Sequence, residues 1–395
     1  MKTNPILLAS ALLLVAFASA HAQAPQYTVT VLGELSGGNG VSYATGVNNL
    51  GQVTGQSATA TSTHAFLYSS GSMIDIGSAP PEFGDNFGVA INNAGQVAGV
   101  GQTGIVYSSG SWTSVGDFAG GQGFSEAYGI NDSGVAVGSA QINGSYPQAF
   151  SFSSGSLINL GSLGGNYSTA YGINSSGVIV GDAYLSGNNY ANAFEYSGGV
   201  MSSLGTLGGH NSQAYGINSS GQVVGSSQIT GNSAYHAVIF SGGSKIDLGT
   251  LGGSNSYGYA INASGEVVGI SQTTGNASSH AFVYISGTMY DLASLMPSTV
   301  TQLDEARTPQ EGNQINDWGQ IAAEAMVSGT EQAILLTPVN PLTTVSGGVQ
   351  DAKLVAGMNF NAIAAYTNTA GNLTKVAFLD GTSSVNRDVQ VSFLA

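Results

Sequence analysis

The acidic residues in predicted loops are the first candidates for chemistry, because hydrolysis of a sugar linkage uses a pair of carboxyl groups. These residues are Asp85, Asp117, Glu126, Glu305 and Glu311. No two of them belong to a recognisable motif, and no serine has the Gly-x-Ser-x-Gly context of a strand–turn–helix nucleophile. A site for a carboxylated sugar would need a cluster of arginines, but the sequence has two arginines, Arg307 and Arg387. We therefore expect no catalytic residues and no enzyme activity; the alternative is a glycan-active enzyme.

Three histidines occupy the same position of a repeated pattern and could be taken for metal ligands: His64, His236 and His280. Other copies of the pattern carry Thr103, Gln148, Asn192 and Gln332 at that position. A position that accepts Thr, Gln and Asn needs a hydrogen-bonding side chain, not an imidazole ligand. The sequence also has no cysteine, which excludes thiolate metal sites and disulfides. We expect no metal and no cofactor.

The repeat itself shows the elements that must position these residues. An apolar residue, an Asn and a Gly three residues after the Asn recur seven times, with the Asn at positions 48, 92, 131, 174, 218, 262 and 316. The separations are 44, 39, 43, 44, 44 and 54 residues. Each unit contains four short stretches of strand type bounded by Gly, Ser or Asn. Four strands in about 45 residues are typical of a β-propeller blade.

A displaced element indicates that the ring of blades closes. A Leu-Gly-x-Leu-Gly-Gly type run follows the first six units but not the last, and its seventh copy, from Leu32 to Gly38, precedes the first unit. A ring whose last blade is completed by an N-terminal strand needs this offset, whereas an open solenoid does not. We predict an all-β fold, a seven-bladed β-propeller over residues 27–338 closed by the N-terminal strand. Val29, Val31, Leu32 and Leu35 are expected to be buried in that blade.

Two apolar positions recur in all seven units and should form the core. The first ring is Val47, Ile91, Ile130, Ile173, Ile217, Ile261 and Ile315, and the second is Val53, Val97, Ala136, Ile179, Val223, Val267 and Ile321. Between them the Asn-x-x-Gly element should form an Asx-type turn with the glycine in the left-handed conformation.

The segments that vary among the units should share one face of the ring, because the loops between strands two and three and the loops between blades emerge together. We call it the variable-loop face. Its candidate ligand-binding residues are Tyr146, Tyr190, Tyr235, Tyr257 and His210, beside neutral amides such as Asn188, Asn211, Asn232 and Asn255. Aromatic rings and amides fit an extracellular polysaccharide or a cell-surface protein. The alternatives are that these residues are merely typical of exposed loops, or that the ring is a structural component of the cell surface.

Charge and the N-terminal segment define where the protein should act. With 6 basic and 21 acidic residues the formal net charge is −15, so nucleic acid is excluded as a partner. Lys2, the apolar stretch 6–18 and Ala20-His21-Ala22 have the pattern of a signal peptide, which we assign to residues 1–22. No segment has the roughly 20 apolar residues of a membrane span. We expect an exported protein without a membrane span in the mature chain, extracellular or at the cell surface, with the periplasm as the alternative.

After Pro338 the repeat ends, and residues 342–395 should form a small β-rich C-terminal appendix. Val376 to Leu379 and Val389 to Phe393 alternate apolar and polar residues. Trp318 occupies a turn position that holds Leu, Ala or Ser in the other units, so we expect it to pack against this appendix.

Three repeated motifs resemble those of the bacterial probable extracellular HAF repeat proteins. They are Ala-Tyr-Gly-Ile-Asn at residues 170–174 and 214–218, His-Ala-Phe at 64–66 and 280–282, and Leu-Gly-Thr-Leu-Gly-Gly at 204–209. The resemblance covers residues 27–338 and implies an exported repeat protein without catalytic residues to assign. Unit 2, with Thr103-Gly104-Ile105, and unit 7, with Gln332-Ala333-Ile334, depart from the pattern, so these two blades should be the least regular.

Overall fold

The computed structural model describes residues 25–38, 40–77, 87–142, 146–297, 314–327 and 329–339, and five short strands between residues 343 and 389. The predicted signal peptide, Asp85, Glu305, Arg307 and Glu311 lie outside the described residues. In the described part, antiparallel four-stranded sheets form seven blades in a ring. This confirms the predicted seven-bladed β-propeller.

The strands follow one another along the chain, four to a blade. Strand β1 is Gln26–Gly33. Blade 1 contains β2 (Ser42–Val47), β3 (Val53–Ala58), β4 (Thr63–Ser69) and β5 (Ser72–Gly77). Blade 2 contains β6 (Phe87–Ile91), β7 (Val97–Val100), β8 (Gly104–Ser108) and β9 (Ser111–Ser114). Blade 3 contains β10 (Ser125–Ile130), β11 (Ala136–Ala140), β12 (Gln148–Ser153) and β13 (Ser156–Gly161).

Blades 4 to 6 have longer first strands. Blade 4 contains β14 (Gly164–Ile173), β15 (Ile179–Leu185), β16 (Ala191–Ser197) and β17 (Val200–Ser203). Blade 5 contains β18 (Gly208–Ile217), β19 (Val223–Ile229), β20 (Tyr235–Ser241) and β21 (Ser244–Asp247). Blade 6 contains β22 (Gly252–Ile261), β23 (Val267–Thr273), β24 (Ser279–Ile285) and β25 (Thr288–Asp291), with 3-10 turns at Thr274–Asn276 and Leu292–Leu295.

Blade 7 is completed by the N-terminal strand. It contains β26 (Gln314–Ile315), β27 (Ile321–Val327) and β28 (Thr330–Val339). Strand β1 pairs antiparallel with β28 as the outermost strand of the blade, with Val29 opposite Leu336. The predicted closure of the ring is confirmed.

The burial expected along β1 is wrong at one residue. Leu32 and Leu35 are buried, Val29 packs against the core, but Val31 is 40% exposed. The pairing with β28 shifts between Val31 and Gly33, and this irregularity brings Leu32 inward in place of Val31. The sequence interpretation also missed Tyr27, which is buried in the same blade.

The core lies between blades, where the second predicted ring is buried at 0–4% exposure in all seven units. One cluster, for example, joins Val137 of blade 3 to Ile179 and Phe194 of blade 4. Close packing of the strands depends on glycine in the second strand. A Cβ on Gly181 would lie 1.9 Å from the carbonyl oxygen of Thr169. Blade 2, expected to be irregular, has four regular though short strands, whereas the described first strand of blade 7 is two residues long.

The C-terminal segment forms a five-stranded sheet in chain order. Its strands are β29 (Thr343–Val345), β30 (Val349–Asp351), β31 (Ala362–Thr367), β32 (Leu373–Leu379) and β33 (Arg387–Val389). The predicted stretch 376–379 belongs to β32, and residues 390–393 of the second predicted stretch lie outside the described residues.

Candidate functional site

Four of the five predicted ligand-binding residues meet in pairs at junctions between blades on the variable-loop face. Tyr190, in the loop that leads to β16, packs on His210 of β18 with ring centroids 4.2 Å apart. Tyr235 of β20 stacks on Tyr257 of β22 with centroids 5.9 Å apart and an angle of 25° between the rings. Tyr146, in the corresponding loop of blade 3, is 57% exposed. Aromatic surface is thus presented from blade 3 to blade 6.

The side-chain oxygens of four neutral amides on this face hold its loops in place. The side-chain oxygen of Asn211 accepts a hydrogen bond from the N–H of Ala191 across the junction of blades 4 and 5, at 2.9 Å. Asn255 accepts one from Tyr235 in the same way at 2.8 Å. Within blades, Asn188 and Asn232 in left-handed loop positions accept from the start of the first strand. These bonds preorganise the aromatic pairs.

A β-bulge in the first strand leaves one residue without an opposite partner in six blades, and three of these residues, Tyr128, Tyr171 and Tyr215, line the central channel. In blade 4, Ala170 pairs with Gly181 and Gly172 with Val180, so that Tyr171 between them has no opposite residue. The same irregularity occurs in five further blades, at Thr45, Val89, Tyr128, Tyr215 and Tyr259. The four tyrosines, from blades 3 to 6, form a ladder with neighbouring ring centroids 5.4–5.7 Å apart.

The sequence interpretation missed this ladder, although the repeated Ala-Tyr-Gly-Ile-Asn motif contains its tyrosines. The first apolar ring, predicted as core, lines the channel together with Tyr128, Tyr171 and Tyr215, around a space of about 160 Å³. Burial raises the pKa of Tyr171 and Tyr215 well above the ordinary value, so the tyrosine hydroxyls stay neutral at any physiological pH. These hydroxyls bond side chains of the blades: that of Tyr171 bonds Asp182, and that of Tyr215 donates to Gln213.

A ring of seven asparagines links the blades at the opposite mouth of the channel. Each Asn of the Asn-x-x-Gly turns accepts N–H bonds from its own turn, as predicted for an Asx turn, and the glycine has positive φ, 80° at Gly177 for example. The structure adds that each Asn amide donates to the carbonyl oxygen of the next blade's Asn, at 2.9–3.2 Å. The last of these bonds, from Asn316 to Asn48, closes the ring.

The repeated histidines have the hydrogen-bonding role expected of them. The Nδ1 atom of His236 lies 2.9 Å from the Asp247 carboxylate on the fourth strand of its blade. His64 and His280 make the same contact with Asp75 and Asp291. In blade 3, Gln148 and Asn159 form the equivalent neutral pair at 2.7 Å. Within the described ranges, no three His, Cys, Asp or Glu side chains are grouped so as to hold a metal ion.

The two described carboxylates among the predicted candidates are engaged locally. Asp117 accepts a hydrogen bond from the N–H of Gly123 at 2.5 Å, and Glu126 accepts one from the hydroxyl of Tyr128. Among the described residues, the most buried carboxylate belongs instead to Asp182, which the sequence interpretation did not single out. It lies on β15 behind the tyrosine ladder, 3% exposed.

Trp318 has a partner in the propeller. Its indole N–H donates to the carbonyl oxygen of Asn49, 2.8 Å away in the turn of blade 1. The neighbouring Asp317 also hydrogen-bonds Asn49 in both directions. These bonds cross the junction where the ring closes, and the packing of Trp318 on the C-terminal appendix stays a prediction, because the side chains of residues 342–395 lie outside the described part of the chain.

Comparison with known proteins adds no family assignment. No family model matches the chain, and no curated protein is significantly similar to it. The resemblance to HAF repeat proteins remains a prediction from the motifs. In the part of the chain that the structure describes, no helix is long and apolar enough to cross a membrane.

Proposed function

We propose that this protein is an exported, non-catalytic β-propeller scaffold that binds a neutral extracellular carbohydrate through its variable-loop face. The observation that supports this most directly is the arrangement of Tyr190 with His210 and of Tyr235 with Tyr257 at successive blade junctions. Aromatic side chains supply large, rigid contact surfaces at low entropic cost, and their rings combine an apolar face with a polar tip. Both features match a sugar ring, which has an apolar face and a hydroxyl rim.

The rigidity of this face also favours binding. Ordering mobile loops costs free energy on association, so a surface held in place beforehand loses less. The bonds from Ala191 to Asn211 and from Tyr235 to Asn255 hold the two junctions in this way. A protein partner at the cell surface would use the same residues and is the competing outcome of the test below.

A glycan array with the mature protein tests the proposal. We expect binding to neutral glycans that weakens about fivefold or more in Tyr190→Ala and in Tyr235→Ala, since truncating a central aromatic contact costs more than about 1 kcal/mol. Leu50→Ala is the matched control, because Leu50 is 70% exposed on the opposite, turn-bearing face. Binding unaffected by both tyrosine variants, or lost in the Leu50 variant, would contradict the assignment of the face.

The remaining parts of the proposal have their own readouts. Release of new reducing ends from a bound glycan would show catalysis and overturn the non-catalytic role. Cell fractionation and N-terminal sequencing test export, for which we expect the mature chain outside the cytoplasm to begin at Gln23.

A further inference from the structure

Asp182 is enclosed in the wall between blades 4 and 5. It lies on β15 opposite Thr169 of β14 and is 3% exposed. The same position of the second strand holds Gln56, Val100, Ser139, Ser226, Ile270 and Glu324 in the other blades. The two neighbouring blades have serine there, so the fold does not require a carboxylate at this point.

The groups that face Asp182 supply no positive charge. Hydrogen bonds from Tyr171 of β14 and from Gln213 of β18 reach the carboxyl group. Its Oδ1 atom, however, has no hydrogen-bond partner among the atoms that the structure describes. The other titratable neighbours are Tyr167 of β14 and Tyr215 of β18, whose pKa values are raised by burial and, to a smaller extent, by the Asp182 carboxylate.

On the remaining strands, β19 contributes Ser226, a neutral hydroxyl beside Tyr215. Strand β16 carries Glu195 opposite Val180, two residues from Asp182 on the same side of the sheet. Glu195 is partly exposed, and its like charge adds no stabilisation to a second carboxylate. The ionised form of Asp182 therefore depends on the hydrogen bonds from Tyr171, from Gln213 and from its own backbone N–H, with no positive charge beside it.

A charged oxygen that is buried without a donor is strongly disfavoured, and binding a proton removes its charge. Burial accordingly raises the pKa of Asp182 to about 7, and the bonds from Tyr171 and Gln213 only partly oppose this effect.

We propose that Asp182 makes the junction between blades 4 and 5 a pH-sensitive seam, which takes up one proton from solvent on Oδ1 and tightens as the pH falls. The strands on the two sides of the seam are β15 and β18. Strand β15 leads into the loop that carries Tyr190, and β18 carries His210, so the seam supports the aromatic pair on the variable-loop face.

The sign of the pH dependence follows from linkage. In the unfolded chain this carboxyl group has an ordinary pKa near 3.9. Between that value and the raised pKa of the folded protein, the folded state binds more protons than the unfolded state. The stabilising contribution is therefore complete below about pH 4, declines as the pH rises, and is lost above about pH 7.

Urea unfolding of the full chain from about pH 4 to about pH 8 tests the proposal in three variants. Asp182→Asn keeps the shape of the side chain but cannot bind or release a proton in this pH range. Asp182→Ser introduces the residue that blades 3 and 5 have at the same position. Glu195→Gln is the control, because it removes a different carboxylate of the same blade. Relative to Asp182→Asn, we expect the unfolding equilibrium constant of the wild type to rise by two to three orders of magnitude, about 10²–10³, across this range. Hydrogen exchange in β15 and β18, corrected for intrinsic rates, should rise in parallel.

The proposal is overturned if the wild type and both Asp182 variants show the same pH profile, or if Glu195→Gln removes the difference. Should Asp182→Asn fail to fold, the comparison with Asp182→Ser is decisive, because serine occupies this position in two blades of the native ring.

Discussion

Replacing Asn218 with alanine should destabilise the propeller, because this side chain joins two blades and holds its own turn. The side chain is 4% exposed. Its amide donates to the carbonyl oxygen of Asn262 in the next blade at 2.9 Å and to Gln222 at 2.8 Å. Its oxygen accepts from the N–H groups of Ser220 and Gln222 at 3.1 and 2.9 Å. One substitution removes all four bonds.

The size of the destabilisation depends on whether the donors and acceptors that lose Asn218 find other partners. A hydrogen bond of this kind contributes about 0.5–1.5 kcal/mol net, and more where the abandoned partner stays buried. The carbonyl of Asn262 keeps its bond from Gly265, and Ser220 is exposed, so part of the loss is recovered. We expect a decrease of about 2–4 kcal/mol in the free energy of unfolding, of which the inter-blade bond is one part.

Asn174→Ala provides an internal comparison. Asn174 makes the inter-blade bond and the two turn bonds, but Val178 stands where Gln222 would accept a fourth. Asn174→Ala should therefore lower the free energy of unfolding by about 1 kcal/mol less than Asn218→Ala does. Urea unfolding followed by circular dichroism measures both variants, with the exposed Asn189→Ala as a control expected within about 0.5 kcal/mol of the wild type. If Asn218→Ala lowers the free energy of unfolding less than Asn174→Ala does, or by about as little as Asn189→Ala, the ring of asparagines does not stabilise the propeller as its hydrogen bonds predict.

Further predictions concern closure and packing. A chain that begins at Gly40 lacks β1 and its buried side chains, so it should unfold or aggregate; an unchanged melting temperature would contradict closure by β1. Because its carboxylate partner is 42% exposed, His236→Gln should be nearly neutral and His236→Ala should cost no more than about 1 kcal/mol by urea unfolding. Gly181→Ala would place a Cβ 1.9 Å from a backbone oxygen and should lower the melting temperature by several degrees or prevent folding. Trp318→Phe keeps the ring but loses the indole bond to blade 1, with an expected cost of about 0.5–1.5 kcal/mol in the same assay.

The number of blades and the closing strand could be predicted because the chain contains seven aligned copies of one unit. Alignment separates positions that every blade shares, such as the buried ring that includes Val53 and Ile321, from positions that vary. The displaced Leu-Gly run that begins at Leu32 then indicated that an N-terminal strand completes the last blade of a closed ring. Local turn chemistry was equally predictable, since the Asx turn uses atoms only a few residues apart.

The site was predictable as a face but not in its contacts. The variable loops identified Tyr190, His210, Tyr235 and Tyr257, yet which ring meets which depends on residues about 20 apart lying in different blades. The amides around them satisfy loop N–H groups, a use that becomes visible only when the two loops are side by side.

Three features were decided by the tertiary structure alone. The bulge that turns Tyr171 into the channel shifts the alternation of β14 by one residue, and alternation is the property from which strand faces are inferred. The asparagine ring joins side chains to carbonyls 39 to 54 residues away along the chain, and from Asn316 back to Asn48. The burial of Asp182 results from blades 4 and 5 closing over it, because the environment of a carboxyl group is set by the neighbours that the fold brings to it.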